Sequence, residues 1–503
     1  MELPARPHNL PPVRSRTIPL ALVALTALAA ALRFSTLGVQ SFSADEGVTV
    51  ALLQMPLGRM LSTIPHSEST PPLYYVLAWL WTRVFGRGEV GLRSLSALCG
   101  TAAVPAVYAA GAELVSRRAG LVAGLLAAVS PLLVWYSQEG RSYALLTLLA
   151  ALSLLFFARA LRGGSGRAPA AWAVVSTLAI ATHYYGGFLV GAEALWLLWR
   201  SPERRRAAIA VAGVGAAGVA LLPLALDQRS NGHFASFVAG SGLSQRVKEV
   251  PKKFLVGEQG TPGDYGPLVE KLVPVAVVLV LVALALVVWR ADRAERRGAA
   301  VATSLAAVAV GVPLAVSLAG ADVFAAYLLI AAWVPAALVI AAGLAAQRAG
   351  ALGPGAAALL AALMCAVSAY VAADPTLQRP DVRAAARALP AAGGPRAVVV
   401  SPAGALHPLR LYARRLRALP ATGVRVAEID TIGMRSRDES FRDRFGVAAA
   451  RLRAPVGFRV AARVVGDRFT LVRLVARSPR FVTPRQLGEL KLGRSDVAAA
   501  VEP

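Results

Sequence analysis

The sequence is poor in charge and in cysteine. Only 16% of its 503 residues are charged and 56% are hydrophobic, whereas about 25% of the residues of an ordinary soluble domain are charged. These proportions exclude a disordered chain, a nucleic-acid-binding module and a conventional cytosolic enzyme. The two cysteines, Cys99 and Cys365, both lie in apolar segments, which excludes a disulfide framework and a thiolate metal site.

Lysine is also scarce, since it supplies only 5 of the 53 basic residues. The net charge of +25 therefore comes from arginine, much of it in short clusters between long apolar runs. Such clusters are typical of the cytoplasmic connections of membrane proteins. We interpret the chain as a polytopic membrane protein with no nucleic-acid partner.

About eleven apolar stretches have the length of membrane spans, because roughly 20 helical residues cross a bilayer core of about 30 Å. The first of them is interpreted as a span and not as a cleaved signal peptide. Residues 72–86 would reach only about 22 Å, so we expect them to lie at the interface or to re-enter the membrane. The predicted spans are 17–37, 93–115, 119–136, 142–161, 168–183, 185–199, 207–226, 269–289, 299–319, 323–346 and 352–372.

The arginine clusters occupy alternate connections, so the positive-inside rule places the amino terminus in the cytoplasm. The predicted fold is an all-α polytopic bundle over residues 1–372, with outer loops at 38–92 and 227–268, in the inner (cytoplasmic) membrane. Residues 373–503 are predicted to form a small extracytoplasmic α/β domain.

The α/β assignment depends on patterns in this tail. We expect a helix at 381–389, strands at 397–400 and 424–429, and a hairpin of 456–465 with 469–475 that turns at Gly466–Asp467. The tail has 23 Arg and one Lys against 11 acidic residues. This excess suits a surface close to anionic lipid or glycan, although a solvated basic face with no specific role fits equally well.

Asp45 and Glu46 are the first candidates for chemistry. Two adjacent carboxylates a few residues after a span are costly to desolvate, so they call for a partner, a metal or a catalytic role. The alternative is a helix amino-terminal cap, because acidic residues stabilise the first turn of a helix.

Two further short connections are rich in polar and aromatic side chains. Residues 136–143 (YSQEGRSY) include Glu139 and Arg141; the arginine can hold a phosphate, or the two charges can neutralise each other. His183 is followed by two tyrosines, which suits a substrate contact as well as a structural histidine, and its spacing matches no zinc pattern. The loop 227–268 carries Arg246, Lys248, Lys252 and Lys253, a composition that fits an anionic lipid headgroup or a passive connection.

Five motifs follow one another along the chain: DE at 45–46, TPPLYY at 70–75, GLR at 91–93, YSQEGRSY at 136–143 and THY at 182–184. The series resembles the bacterial membrane glycosyltransferases related to the protein O-mannosyltransferases and to the lipid A aminoarabinose transferase, which share the glycosyltransferase C fold. The resemblance is firm over about residues 40–200, and a weaker match returns at 379–383 (RPDVR).

The resemblance implies a polyprenyl-phosphate-linked sugar donor and a hydroxyl acceptor on an envelope glycan, a lipid or a protein, with transfer at the outer membrane face. It implies that Asp45 and Glu46 are catalytic. No further cofactor follows, and the use of a divalent metal stays open. Thr70, Ala326 and Val382 depart from the family pattern. The substrate-binding residues expected from these motifs are Tyr74, Arg93, Gln138, Glu139, Arg141, Tyr143, His183 and Tyr184.

We expect a single displacement in which Asp45 acts as the general base on the acceptor hydroxyl. Glu46 would orient the acceptor or support Asp45. Arg141 and Arg93 would stabilise the departing phosphate, and His183 and Tyr184 would hydrogen-bond the phosphate or the sugar. The alternatives are a lipid or glycan transporter or flippase, and a non-catalytic scaffold that binds envelope glycan. Against a transporter, the ionisable groups gather at one membrane face and no inverted repeat is evident.

Overall fold

The computed structural model describes most of the chain as two compact units. The first comprises residues 1–37, 55–258 and 269–369, and the second comprises residues 38–54, 259–268 and 370–503. The described residues are 17–163, 166–231, 242–257, 266–321, 323–391, 393–434, 452–466, 468–492 and 496–503.

Helices make up most of the described chain. In chain order they are α1 (Thr17–Phe34), α2 (Ala44–Leu53), α3 (Leu57–Ser67), α4 (Leu73–Phe85), α5 (Glu89–Leu114), α6 (Arg117–Val129), α7 (Pro131–Ser137), α8 (Tyr143–Arg162), α9 (Ala168–Thr182), α10 (Gly186–Arg200), α11 (Arg204–Ser230), α12 (Leu243–Val256), α13 (Gly266–Trp289), α14 (Arg293–Leu318), α15 (Ile330–Leu344), α16 (Leu352–Ala373), α17 (Val382–Ala388), α18 (Leu406–Tyr412) and α19 (Pro484–Gly488). The strands are β1 (Arg396–Ser401), β2 (Arg417–Ala418), β3 (Val424–Met434), β4 (Phe458–Val465), β5 (Phe469–Val482) and β6 (Ala498–Glu502).

Each predicted span falls on helical structure, but the predicted number of about eleven spans is not confirmed. Within the described residues, six helices are long and apolar enough to cross a membrane: α5, α8, α11, α13, α14 and α16. Helices α6 and α7 add a seventh if the bent pair counts as one span. Helix α15 is shorter than the predicted span 323–346, and α4 has 13 residues.

The predicted span 119–136 is broken by a bend of 55° between α6 and α7. Pro131 opens α7 and has no backbone N–H, so the carbonyl of Ala127 receives no helical hydrogen bond from it. Arg33 of α1, fully buried, donates to the carbonyl oxygens of Ala127 (2.9 Å) and Ala128 (2.8 Å) and to the Ser137 hydroxyl (3.1 Å). A buried arginine thus satisfies the carbonyls that the bend exposes.

The second unit contains a six-stranded sheet in the order β2-β6-β1-β3-β5-β4. β1 and β3 run parallel, and the other pairs are antiparallel. Alternate side chains of β1 enter two apolar clusters, Val398 and Val400 with α17 and α18, and Ala397 and Val399 with Leu487 of α19. The sheet is therefore covered on both faces.

The elements predicted for the tail are confirmed. The helix at 381–389 is α17, and the strands at 397–400 and 424–429 are the centres of β1 and β3. The predicted hairpin is the antiparallel pair β4–β5, which is longer at its second strand than predicted. Asp467 of its turn lies outside the described residues, as do residues 232–241 and 258–265 of the loop 227–268.

Candidate functional site

Asp45 and Glu46 lie in the first turn of α2, in the second unit. Ser43 caps this helix: its hydroxyl accepts from Glu46 N (3.2 Å), and a Glu46 carboxylate oxygen accepts from Ser43 N (3.0 Å). This reciprocal pair is a capping box. Glu46 is fully buried, so this carboxylate helps to fix the start of the helix.

The Asp45 side chain is partly exposed, unlike that of its neighbour. Within its own unit no described residue donates a hydrogen bond to the Asp45 carboxylate, while the main-chain carbonyl of Asp45 accepts from the Thr49 hydroxyl (3.1 Å). Asp45 is thus held in place by its backbone while its side chain stays available.

The segment that leads to Asp45 is bound by the motif at 379–383. Gln40 accepts from Arg379 N (3.0 Å), and Arg383 donates to the carbonyl oxygens of Gly38 and Val39 (both 3.1 Å). The Ser41 hydroxyl also contacts the backbone of this motif. These hydrogen bonds fix the backbone of residues 38–41, a few residues before the acidic pair.

Helix α18 packs directly against α2. A Cβ atom added at Gly47 would lie 2.6 Å from the backbone nitrogen of Pro408, so only glycine permits this approach. Tyr412 OH accepts from the backbone N–H of Phe42 (2.9 Å), and the two rings stack at 6.2 Å. His407 of α18 interacts electrostatically with Asp45.

The first unit contains a separate buried polar cluster, centred on Arg141. Arg141 Nη1 donates to both carboxylate oxygens of Glu68 (3.0 and 2.9 Å) and to Tyr75 OH (3.1 Å). The Thr70 hydroxyl lies 3.1 Å from the same phenol oxygen. Burial raises the pKa of Tyr75 well above its usual value, so the phenol keeps its proton. The cluster joins the motif at 70–75 to that at 136–143.

Gln228 extends this cluster to the motif at 182–184. Its side chain, fully buried near the end of α11, donates to the carbonyl of Thr70 (3.1 Å) and accepts from Tyr184 OH (2.8 Å). Burial raises the pKa of Tyr184 to about 12. Three of the five sequence motifs therefore belong to one connected network.

Gln138 and Arg93 contact the backbone at the end of α1. Gln138 Nε2 donates to Thr36 Oγ1 (2.7 Å) and to the carbonyl oxygen of Leu32 (3.0 Å), and Arg93 donates to that of Leu37 (2.8 Å). These carbonyls are among the last of the helix and its exit, where intrahelical partners are missing. Both side chains thus fix the chain where it leaves α1.

The remaining predicted residues also lie in the first unit. The Ser96 hydroxyl lies 3.3 Å from Tyr74 OH and donates to the carbonyl of Arg141 (3.4 Å). The Tyr143 ring lies 4.6 Å from that of Tyr136 and 5.9 Å from those of His183 and Tyr327. The carbonyl of Glu139, a residue that is 4% exposed, accepts from the backbone N–H of Arg141 (2.8 Å).

A basic side chain lies beside an apolar cluster in the same unit. Arg246, which is 8% exposed, donates to the carbonyl of Phe324 (2.8 Å). Phe324 packs in a buried cluster with Tyr185, Val250, Ala326 and Leu329. Ala326, one of the departures from the family pattern, is therefore a core residue.

Sequence reasoning missed Glu68, Gln228 and His407 as members of these clusters. Glu68 lies three residues before Pro71 and thus directly beside the motif at 70–75, whereas no motif lies beside Gln228 or His407. In the part of the chain that the structure describes, no three His, Cys, Asp or Glu side chains are placed to hold a metal ion.

Comparison with solved structures shows the fold class. The apo structure of ArnT from Cupriavidus metallidurans matches with a TM-score of 0.54 and 16% identity, covering 90% of this chain and 97% of that one. The structure of the same protein bound to undecaprenyl phosphate matches with a TM-score of 0.52, the same identity and the same coverage. The chain thus has the glycosyltransferase C fold of membrane glycosyltransferases.

The sequence comparison agrees with this class. Residues 69–226 match the family described as dolichyl-phosphate-mannose-protein mannosyltransferase. This segment contains four of the five motifs, including Arg141, while Glu68 and Gln228 of the buried network lie just outside its ends and Asp45 and Glu46 precede it. No curated protein sequence matches the chain. The predicted resemblance to membrane glycosyltransferases is confirmed.

Proposed function

We propose that this protein transfers a sugar from a polyprenyl-phosphate donor to a hydroxyl acceptor at the outer face of the cytoplasmic membrane. The observation that carries the proposal is Asp45: a carboxylate on a firmly fixed helix start, with no hydrogen-bond donor among the described residues of its own unit. A general base needs this combination of fixed position and available oxygen atoms.

The reaction is a single displacement. Asp45 takes the proton of the acceptor hydroxyl as its oxygen attacks the anomeric carbon. The bond between that carbon and the phosphate oxygen breaks, and polyprenyl phosphate leaves with the electron pair from the opposite face, which inverts the anomeric centre. Glu46 acts as a positioning residue, because its carboxylate completes the capping box that fixes Asp45.

Two arginines are candidates for binding the phosphate of the donor. Arg246 beside the apolar cluster of Phe324 offers a cation next to apolar surface, a combination that suits a phosphate on a hydrocarbon chain. Arg141 is the second candidate for the phosphate, with its guanidinium held in place by Glu68. The undecaprenyl phosphate bound to the ArnT structure supports a lipid phosphate as the leaving group.

The proposed membrane placement follows from arginine distribution. With the amino terminus in the cytoplasm, the motifs and the sheet of the second unit face the outside. A cysteine introduced into an exposed part of the second unit, as in Arg414→Cys, would then react with an impermeant maleimide on intact cells.

The decisive experiment uses the native chain in nanodiscs with a panel of radiolabelled polyprenyl-phosphate sugars and an envelope extract as acceptor. Free polyprenyl phosphate and labelled product are both measured for native protein, Asp45→Asn and Glu89→Gln. The control replaces another first-turn carboxylate, that of α5. We expect turnover to fall about 100- to 10,000-fold in Asp45→Asn, the range that a positioned base contributes, and to persist in Glu89→Gln.

Native-like turnover in Asp45→Asn would overturn the catalytic assignment. A transporter or flippase would move the labelled donor across the bilayer without releasing free polyprenyl phosphate. Movement of label in the native chain without release, in the presence of a donor and an acceptor extract, would favour that alternative.

A further inference from the structure

Three ionisable side chains, Asp45, His407 and Arg410, lie on neighbouring helices of the second unit. Of these, the proposed reaction uses only Asp45. His407 and Arg410 are one turn apart on α18, so they share a face of that helix. His407 interacts electrostatically with both Arg410 and Asp45. Because α18 packs against α2 at Gly47, the two basic side chains lie on the element next to the proposed base.

Arg410 lacks the partners that a partly buried guanidinium normally has. Among the described residues, its buried Nε atom has no hydrogen-bond partner and its side chain forms no ion pair. An enclosed charged donor left unsatisfied costs free energy. The side chain as a whole is partly exposed, so an anion bound by the other N–H groups of the guanidinium would offset this cost.

The electrostatics of the cluster suit an anion next to a hydroxyl. Partial enclosure lowers the pKa of His407 and the charge of Arg410 lowers it further, while Asp45 raises it. A neutral imidazole can accept or donate a hydrogen bond to a sugar hydroxyl. The guanidinium remains the cation of the cluster, and its planar fork matches phosphate or carboxylate oxygens.

We propose that His407 and Arg410 form the acceptor subsite, and that the acceptor carries a phosphate or carboxylate close to the hydroxyl that Asp45 deprotonates. Arg410 binds the anionic group and His407 contacts the sugar hydroxyls beside it. The site thus selects an anionic glycan or lipid headgroup over a neutral one. This inference deepens the proposed function and rests on Asp45 as the reacting base.

Binding can be tested without turnover. Saturation-transfer NMR on the full chain in phosphatidylcholine nanodiscs compares glucose 1-phosphate with methyl glucoside, which has the hydroxyls but no anion. We expect saturation to be transferred from the native protein to glucose 1-phosphate and not to methyl glucoside. Arg410→Gln should weaken that binding about tenfold or more, because a charged hydrogen bond is lost, and Arg410→Lys should weaken it less. Arg414→Gln, at an exposed arginine of the same segment, should bind like the native chain.

Equal saturation of both sugars, no saturation of glucose 1-phosphate, or native binding by Arg410→Gln would each overturn the inference. A second set of nanodiscs contains phosphatidylglycerol, whose anionic headgroup competes if the subsite binds lipid. Loss of glucose 1-phosphate binding in these nanodiscs assigns the subsite to a lipid headgroup. Unchanged binding assigns it to a glycan. With a donor identified, Arg410→Gln should raise the KM for the acceptor about tenfold and leave that for the donor unchanged. Selective binding without any transfer by the native chain would refute the proposed function and leave the anion site intact.

Discussion

Ser41 and Val382 are joined by a hydrogen bond of 3.0 Å from the backbone N–H of Val382 to the Ser41 hydroxyl. The same hydroxyl donates to the carbonyl of Pro380 (2.9 Å), and Ser41 is only 2% exposed. One side chain therefore satisfies two backbone groups of the motif at 379–383 and ties it to the segment before Asp45.

Replacing Ser41 with alanine should lower kcat about tenfold. The change removes two hydrogen bonds, while the Val382 N–H and the Pro380 carbonyl keep the bond between them (3.1 Å); each lost bond costs about 0.5–1.5 kcal/mol, and the segment before Asp45 is held less firmly. Ser41→Thr keeps the hydroxyl and should restore most of the turnover. Transfer kinetics of both variants, with thermal unfolding alongside, separate positioning from loss of fold; unchanged kcat in Ser41→Ala would contradict this role.

The departure of Val382 from the family pattern has a structural reason. Val382 is 2% exposed and packs into the cluster of α17, α18 and the sheet. Its contact with Ser41 uses the backbone, which any residue except proline supplies. The neighbouring Asp381 caps α17 through a hydrogen bond from Ala384 N (3.0 Å). The contacts of this motif with the segment before Asp45 therefore do not depend on the side chain at position 382.

The sequence predicts local structure better than it predicts the site. Spans and strands follow from hydrophobic periodicity over neighbouring residues, so each of those predictions fell on the correct type of element. The break at Pro131 was missed because the arginine that compensates for it, Arg33, lies on another helix. The pair of Glu68 with Arg141 and the approach of His407 to Asp45 are likewise long-range contacts, which no spacing rule encodes.

The Glu68 and Arg141 side chains should be strongly coupled to each other in their effect on stability, and both should be needed for activity. Glu68→Gln alone leaves a buried guanidinium without its counter-charge, which typically costs about 3–5 kcal/mol, and Arg141→Gln leaves the carboxylate. The double variant removes both charges, so we expect it to be more stable than either single variant and still inactive. Thermal unfolding and transfer assays on all four proteins form a double-mutant cycle. Additive losses of stability would show that the pair is not coupled.

The carboxyl group of Glu193 is buried within α10. Its replacement should have different effects in an enzyme and in a transporter. Its Oε2 accepts from Trp172 Nε1 (2.8 Å) and from the Ser153 hydroxyl, which joins α8, α9 and α10. In an enzyme, the role of Glu193 is to accept these hydrogen bonds. Glu193→Gln keeps an acceptor oxygen and should preserve transfer. Glu193→Leu leaves the indole N–H unpaired and should lower the midpoint of thermal unfolding.

A transporter that used Glu193 on its path would instead need the ionisable group itself. Glu193→Gln would then abolish function while the protein stayed folded. Transfer and donor movement measured on the same Glu193→Gln nanodiscs decide between these outcomes. Trp172→Phe is the matched control, because it removes the indole donor without changing the carboxyl group.

Asp430 should make the sheet of the second unit less stable as the pH rises from about 4 to about 6. Burial raises the pKa of Asp430 to about 6, although Arg396 at 3.0 Å opposes this shift. The carboxyl group has a pKa near 3.9 in the unfolded chain, so between about pH 4 and about pH 6 the folded state binds more protons than the unfolded state. The folded state therefore loses stability as this proton is lost, and its backbone amides become less protected from hydrogen exchange. We expect Asp430→Asn to remove this dependence and Glu489→Gln, at an exposed site, to keep it. Hydrogen exchange of β1 and β3 in the full chain, corrected for the intrinsic effect of pH, measures it; protection that rises with pH in the native chain and in Glu489→Gln would contradict the assignment.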